Sequence, residues 1–85
     1  MKEGNSGNSS RILTNREKEI LKMVAEGFTN REIAFRLGIS VYTVETHLRI
    51  IYAKIRARGR AHAAAWFVKH YPDGYHGDGN SGAAP

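Results

Sequence analysis

TNREIAFRLGISVYTVETHLRIIYAKIR, residues 29–56, decides the fold of this chain. It opens on Thr29, with Glu32 three residues later, the pattern of a capping box. In that device the hydroxyl accepts from a free N–H of the first turn while the carboxylate reaches back to the cap's own N–H. Ile33, Ala34 and Leu37 then share one helical face, and Gly38 ends the helix by supplying a left-handed residue. Ile39 plugs the angle, and Ser40 caps a longer helix expected to run to about Arg56. A short helix, a tight turn and a longer amphipathic helix are the grammar of a helix-turn-helix.

Working outward, the same tetrapeptide TNRE stands at residues 14–17. Thr14 and Glu17 cap a preceding helix, with Leu13 positioned as a staple on its first turn. Ile20, Leu21, Val24 and Ala25 supply its apolar face, and Gly27 is its stop. The flanking sequences differ, so the two tetrapeptides mark boundaries and not an internal repeat. A fourth helix is expected over residues 60–70, from its alanine run and from Trp66 and Phe67. Gly59 caps it less firmly than a Ser or Thr would. The fold class is therefore all-α, a four-helix domain at residues 11–71. The Gly-, Asn- and Ser-rich stretches at 1–10 and 72–85 are expected to be a disordered leader and tail.

Eighty-five residues suffice for one small domain. The absence of cysteine excludes disulfides and thiolate metal sites. No apolar run reaches the length of a membrane span and the first residues lack a signal peptide's apolar region, so the chain reads as soluble and cytoplasmic. The net charge is +5, from 13 Lys and Arg against 8 Asp and Glu. Residues 11–70 concentrate it, with twelve basic and five acidic side chains. Between Glu45 and Arg60 a single acid faces Arg49, Lys54, Arg56, Arg58 and Arg60. Such a basic stripe is the electrostatic footprint of a polyanion partner, although a solvated basic face has the same composition.

The third helix separates these two meanings. Wound at about 100° per residue, it puts Val44, Leu48, Ile51 and Ile55 on one side, with His47 at the edge. Opposite fall Tyr42, Glu45, Thr46, Arg49, Ala53 and Arg56. Small residues let a backbone approach a groove, and donors and acceptors suit base edges. Tyr42, Glu45, Thr46 and Arg49, at i, i+3, i+4 and i+7, are the side chains an inserted N-terminal half would present to bases. Arginines 31, 36, 56, 58 and 60, with Lys54, make about six candidate phosphate partners, for a log–log salt slope near −5.

The chain from Leu13 to Ile55 resembles the LuxR/GerE-type helix-turn-helix domain of bacterial transcription regulators. Leu13-Thr14, Arg16-Glu17, Glu26-Gly27, Asn30, Glu32-Ile33-Ala34, Leu37, Thr43-Val44, Thr46-His47 and Lys54-Ile55 carry the likeness, which covers about residues 13–66. It implies four helices, a third helix that reads the major groove, and a last helix that mediates dimerisation. By position, Glu45, Thr46 and Arg49 would face base edges. Thr29, Asn30, Tyr42, Thr43, His47 and Lys54 would lie near phosphates. Glu45 stands where many family members have Lys; a carboxylate favours a cytosine N4 donor and leaves guanine to Arg49. Asn15 replaces a usual first-turn Pro, and residues 57–62 lack the usual Ser or Thr cap.

The expected function is that of a sequence-specific DNA-binding transcription regulator, a homodimer reading the major groove with residues 41–56. Its partners would be double-stranded DNA, a second copy of itself through Ala61, Ala64, Ala65 and Val68, and RNA polymerase or a related regulator. It would be nucleoid-associated in the cytoplasm. The alternative is a protein-interaction module that heterodimerises with a larger regulator. Catalysis is not expected, since no Ser, Cys or second carboxylate is placed to activate His47. The spacing of His47, His62, His70 and His76 forms no metal site, and no cofactor is expected.

Overall fold

A computed structural model describes residues 12–72, and within them finds four helices. These are α1 (Asn15–Ala25), α2 (Asn30–Leu37), α3 (Val41–Ile55) and α4 (Arg60–His70). The leader expected at 1–10 and nearly all of the tail expected at 72–85, Tyr75 and His76 included, lie outside the described residues.

Both expected capping boxes form. Thr14 Oγ1 accepts from Glu17 N–H at 3.0 Å and Thr14 N–H donates to Glu17 Oε1 at 2.9 Å. Thr29 and Glu32 repeat this at 3.1 and 2.8 Å. Ser40 Oγ accepts from Thr43 N–H at 2.9 Å to start α3. The first three helices also end alike. Gly27, Gly38 and Arg56 are left-handed, and the next residue donates back five positions: Phe28 to Met23, Ile39 to Ala34, Ala57 to Tyr52. This satisfies carbonyls that the last turn leaves orphaned. Arg56, about where the sequence ends α3, takes this position without glycine's freedom. A residue with a Cβ there holds a conformation that glycine adopts at less cost.

α4 begins at Gly59, which offers no side-chain cap. His62, in the third helical position, partly substitutes: its Nδ1 accepts from Arg58 N–H at 3.1 Å.

α1 packs on α4 and α3, α2 packs on α3, and α3 touches α4. Ile20, Leu21, Ile33, Val44 and Ile51 are fully buried at the centre, with Leu13, Leu48, Ile55, Ala63 and Phe67 around them. The aliphatic stripe read from the sequence of α3 is thus the surface by which it is anchored. Trp66 stacks on His70, with ring centroids 4.1 Å apart, and leans on the core.

One polar pair is set into this packing. Glu17 is 6% exposed, and its Oε1 accepts from Lys54 Nζ at 2.8 Å, tying α3 to α1. Burial pushes the Glu17 carboxyl up, but the Lys54 ammonium and the Thr14 donors outweigh it and hold the carboxyl below its ordinary 4.5. A carboxyl whose pKa falls on folding stabilises the fold above its unfolded value and loses that contribution as pH falls through the folded one. Stability should therefore decline as the pH drops below about 4.5. Glu17→Gln should flatten that decline in denaturant melts taken across the acid range. Parallel curves for the two proteins would show that Glu17 contributes nothing to the acid response.

Candidate nucleic-acid interface

α3 is held by one flank and bare on the other. Val44, Leu48, Ile51 and Ile55 are buried, while Tyr42, Glu45, Arg49, Ala53 and Arg56 are exposed. Tyr42 is 73% exposed. Among the described residues, no ion pair or hydrogen bond engages the Arg49 guanidinium or the Glu45 carboxylate. Both border an open groove of about 270 Å³ that Asn30, Leu48, Tyr52 and Arg60 complete.

Thr46 departs from the expected outward donor. It lies opposite the buried stripe, yet it is only half-exposed, and its Oγ1 is closed off from solvent with no hydrogen-bond partner. A β-branched side chain in a helix lays one branch against the preceding turn. In Thr46 the hydroxyl is the atom so enclosed, so the side chain does not offer it as a donor to the outer face.

The residues expected near phosphates divide into two groups. Thr29 and Thr43 use their hydroxyls within caps, Thr43 Oγ1 lying 2.9 Å from Ser40 Oγ. Asn30 Oδ1 accepts from Arg60 Nη1 at 2.8 Å, and Arg60 Nη2 donates to the Phe28 carbonyl. Lys54 is committed to Glu17. Lys54 and Arg60 therefore brace helices against one another, where charge alone placed them among the phosphate partners. Arg36 lies over the Phe28 ring, 4.5 Å from its centroid. His47 is half-buried at the edge of the stripe. Arg31, Arg56 and Arg58 are exposed, and no carboxylate pairs with them among the described residues.

The two clamps were not anticipated from sequence. Glu17 and Lys54 are separated by 37 positions, and Arg60 and Asn30 by 30; no local pattern reports such pairings. A faint signal existed in Glu17 itself, whose capping role places it beside the apolar face it helps to start.

On α4, Ala61, Ala65 and Val68 share one exposed face, with Val68 60% exposed and Ala64 half-buried beside it. Among the described residues no group of His, Asp or Glu is arranged to hold a metal ion, and no helix is long and apolar enough to cross a membrane.

The sequence matches the family model for bacterial regulatory proteins of the luxR family over residues 11–67. The chain belongs to the luxR family. That family is one of DNA-binding transcription regulators, and among the described residues the LuxR-type domain is all-α as the resemblance implied. Similar proteins include the CsgBAC operon transcriptional regulatory protein of Escherichia coli, 47% identical over 57 residues, which cover 67% of this chain and 26% of the relative. The nitrate/nitrite response regulator protein NarL of Escherichia coli is 43% identical, covering 64% and 25% respectively. The response regulator protein VraR of Staphylococcus aureus is 39% identical, covering 69% and 28%. The chain thus spans about a quarter of the length of these luxR-family relatives. No solved structure gave a significant match.

Proposed function

We propose that this luxR-family chain binds DNA sequence-specifically, inserting the bare flank of α3 into the major groove to regulate transcription. One observation carries this: Arg49 and Glu45 stand exposed and unpaired on a helix whose other flank is fully anchored. A guanidinium so presented suits guanine O6 and N7, and a carboxylate suits a cytosine N4 donor. Thr46, half-exposed with its hydroxyl enclosed, suits an apolar contact with the C5-methyl of thymine better than a hydrogen bond to a base. Tyr42 completes the base-facing set. Arg31, Arg56 and Arg58 are the phosphate partners with free guanidinium groups, with His47, Thr29, Asn30 and Thr43 beside them; Lys54 would have to leave Glu17 to join.

The Ala61, Ala64, Ala65 and Val68 face of α4 supports pairing of two copies about a two-fold axis, because small side chains let two helices approach closely. Half-sites would then lie one helical turn apart, or a multiple of it. The same exposed face favours a second reading, in which the chain pairs with a larger regulator of its family. Gel shift of the purified chain alone, without a partner, separates the two.

Selection of bound sites from a random duplex pool tests the proposal. Symmetric half-sites should be enriched, and Arg49→Ala should lose about 1–3 kcal/mol on them while relaxing preference at one base pair. An equal loss on every duplex would reassign Arg49 to phosphate.

A further inference from the structure

A second depression, of about 470 Å³, opens on α2, lined by Phe28, Arg31, Glu32, Phe35 and Arg36. It shares no residue with the groove beside Arg49. Phe35 is 88% exposed, more than any other large hydrophobic residue described. On a helix it lies about 200° from Ile33 and from Leu37, on the side turned away from the core. A bare phenyl ring there contributes nothing to packing.

Its surroundings are selectively charged. The only acid of the depression, Glu32, already accepts from Thr29 N–H through Oε1. Arg31 has no carboxylate partner among the described residues, and Arg36 is engaged only with the face of Phe28. The patch is therefore an apolar centre with two available cations beside it. DNA would satisfy the cations, but beside its phosphates it offers Phe35 only the narrow C–H edges of deoxyribose, less apolar surface than a large protein side chain gives. A second copy paired two-fold through this patch would bring the same arginines together, since a two-fold interface puts one surface on both sides. An acidic protein segment meets both demands.

We propose that Phe28, Arg31, Phe35 and Arg36 form a docking site for an acidic segment of a partner protein. An aliphatic or aromatic side chain of that segment packs on Phe35, and flanking carboxylates pair with Arg31 and Arg36. Arg31 is also among the phosphate partners proposed above, so Phe35 and Arg36 carry the test. The site does not depend on base reading by α3, and Arg31 is the residue that the two surfaces share.

Random 12-residue peptides displayed on phage, selected on the immobilised full chain, test it. The enriched peptides should carry carboxylates flanking a large apolar residue, and a synthetic copy should shift the amide resonances of residues 28–36. Phe35→Ala and Arg36→Glu should each weaken that peptide about tenfold or more. Phe35→Ala should leave duplex affinity unchanged within about twofold. Failure to enrich this pattern would overturn the proposal, as would resonance shifts confined to α3 or unchanged peptide affinity in Phe35→Ala. A loss of duplex affinity in Phe35→Ala would instead assign the ring to the DNA surface.

Discussion

Raising the salt from about 50 to about 200 mM should weaken duplex binding about fortyfold per domain. Each phosphate neutralised releases condensed counterions, so log affinity falls linearly with log salt, by about 0.9 per contact. Charge counting from sequence offers about six cations and a slope near −5. The structure shortens that set. Lys54 is tied to Glu17 and Arg60 to Asn30 and the Phe28 carbonyl, while Arg36 lies on the Phe28 ring. Arg31, Arg56 and Arg58 are left, Arg49 being given to base edges, and three contacts give a slope of about −2.7. A two-fold pair would double it. Fluorescence anisotropy across a salt series measures the slope directly, and a value near zero would contradict binding through the phosphate backbone. Lys54→Gln should leave the slope unchanged if the pair with Glu17 persists on DNA. A fall of about one contact would show that Lys54 exchanges partners.

Ile51→Ala should cost about 2–5 kcal/mol of folding stability. Ile51 is fully buried where α3 meets the rest of the core, so truncation loses apolar burial and leaves a cavity that the helices can only partly close. Small domains are marginal, with total stabilities of about 5–15 kcal/mol, and such a loss is a large fraction of the whole. Urea melts should show the midpoint falling sharply for Ile51→Ala and hardly moving for Arg49→Ala, whose side chain is exposed. A cost under about 1 kcal/mol at Ile51 would mean that α3 is not anchored by its aliphatic flank.

What could be read in the sequence was local. Thr14, Thr29 and Ser40 announced helix starts because capping is a contact within three residues, and Gly27 and Gly38 announced ends because positive φ favours glycine. The stripe Val44, Leu48, Ile51, Ile55 was legible because helical periodicity does not depend on what packs against it. The end of α3 was less so, since Arg56 takes the left-handed position without a residue type that advertises it. Long-range pairings stayed hidden. Nothing near Lys54 shows that Glu17 is its partner, and nothing near Arg60 points to Asn30, so both looked like surface charge. Thr46 shows a further limit: its position on the outer face followed from winding the helix, whereas the enclosure of its hydroxyl depends on a rotamer that spacing does not encode.

The outer flank of α3, anchored behind and bare in front, is the basis of the functional account. Guanine N7 methylation interference on a selected duplex probes it most directly, because N7 lies in the major groove. Methylation at one guanine per half-site should block the wild-type chain and make little difference to Arg49→Ala. Interference confined to adenine N3 in the minor groove, or the same guanine pattern with and without Arg49, would contradict it.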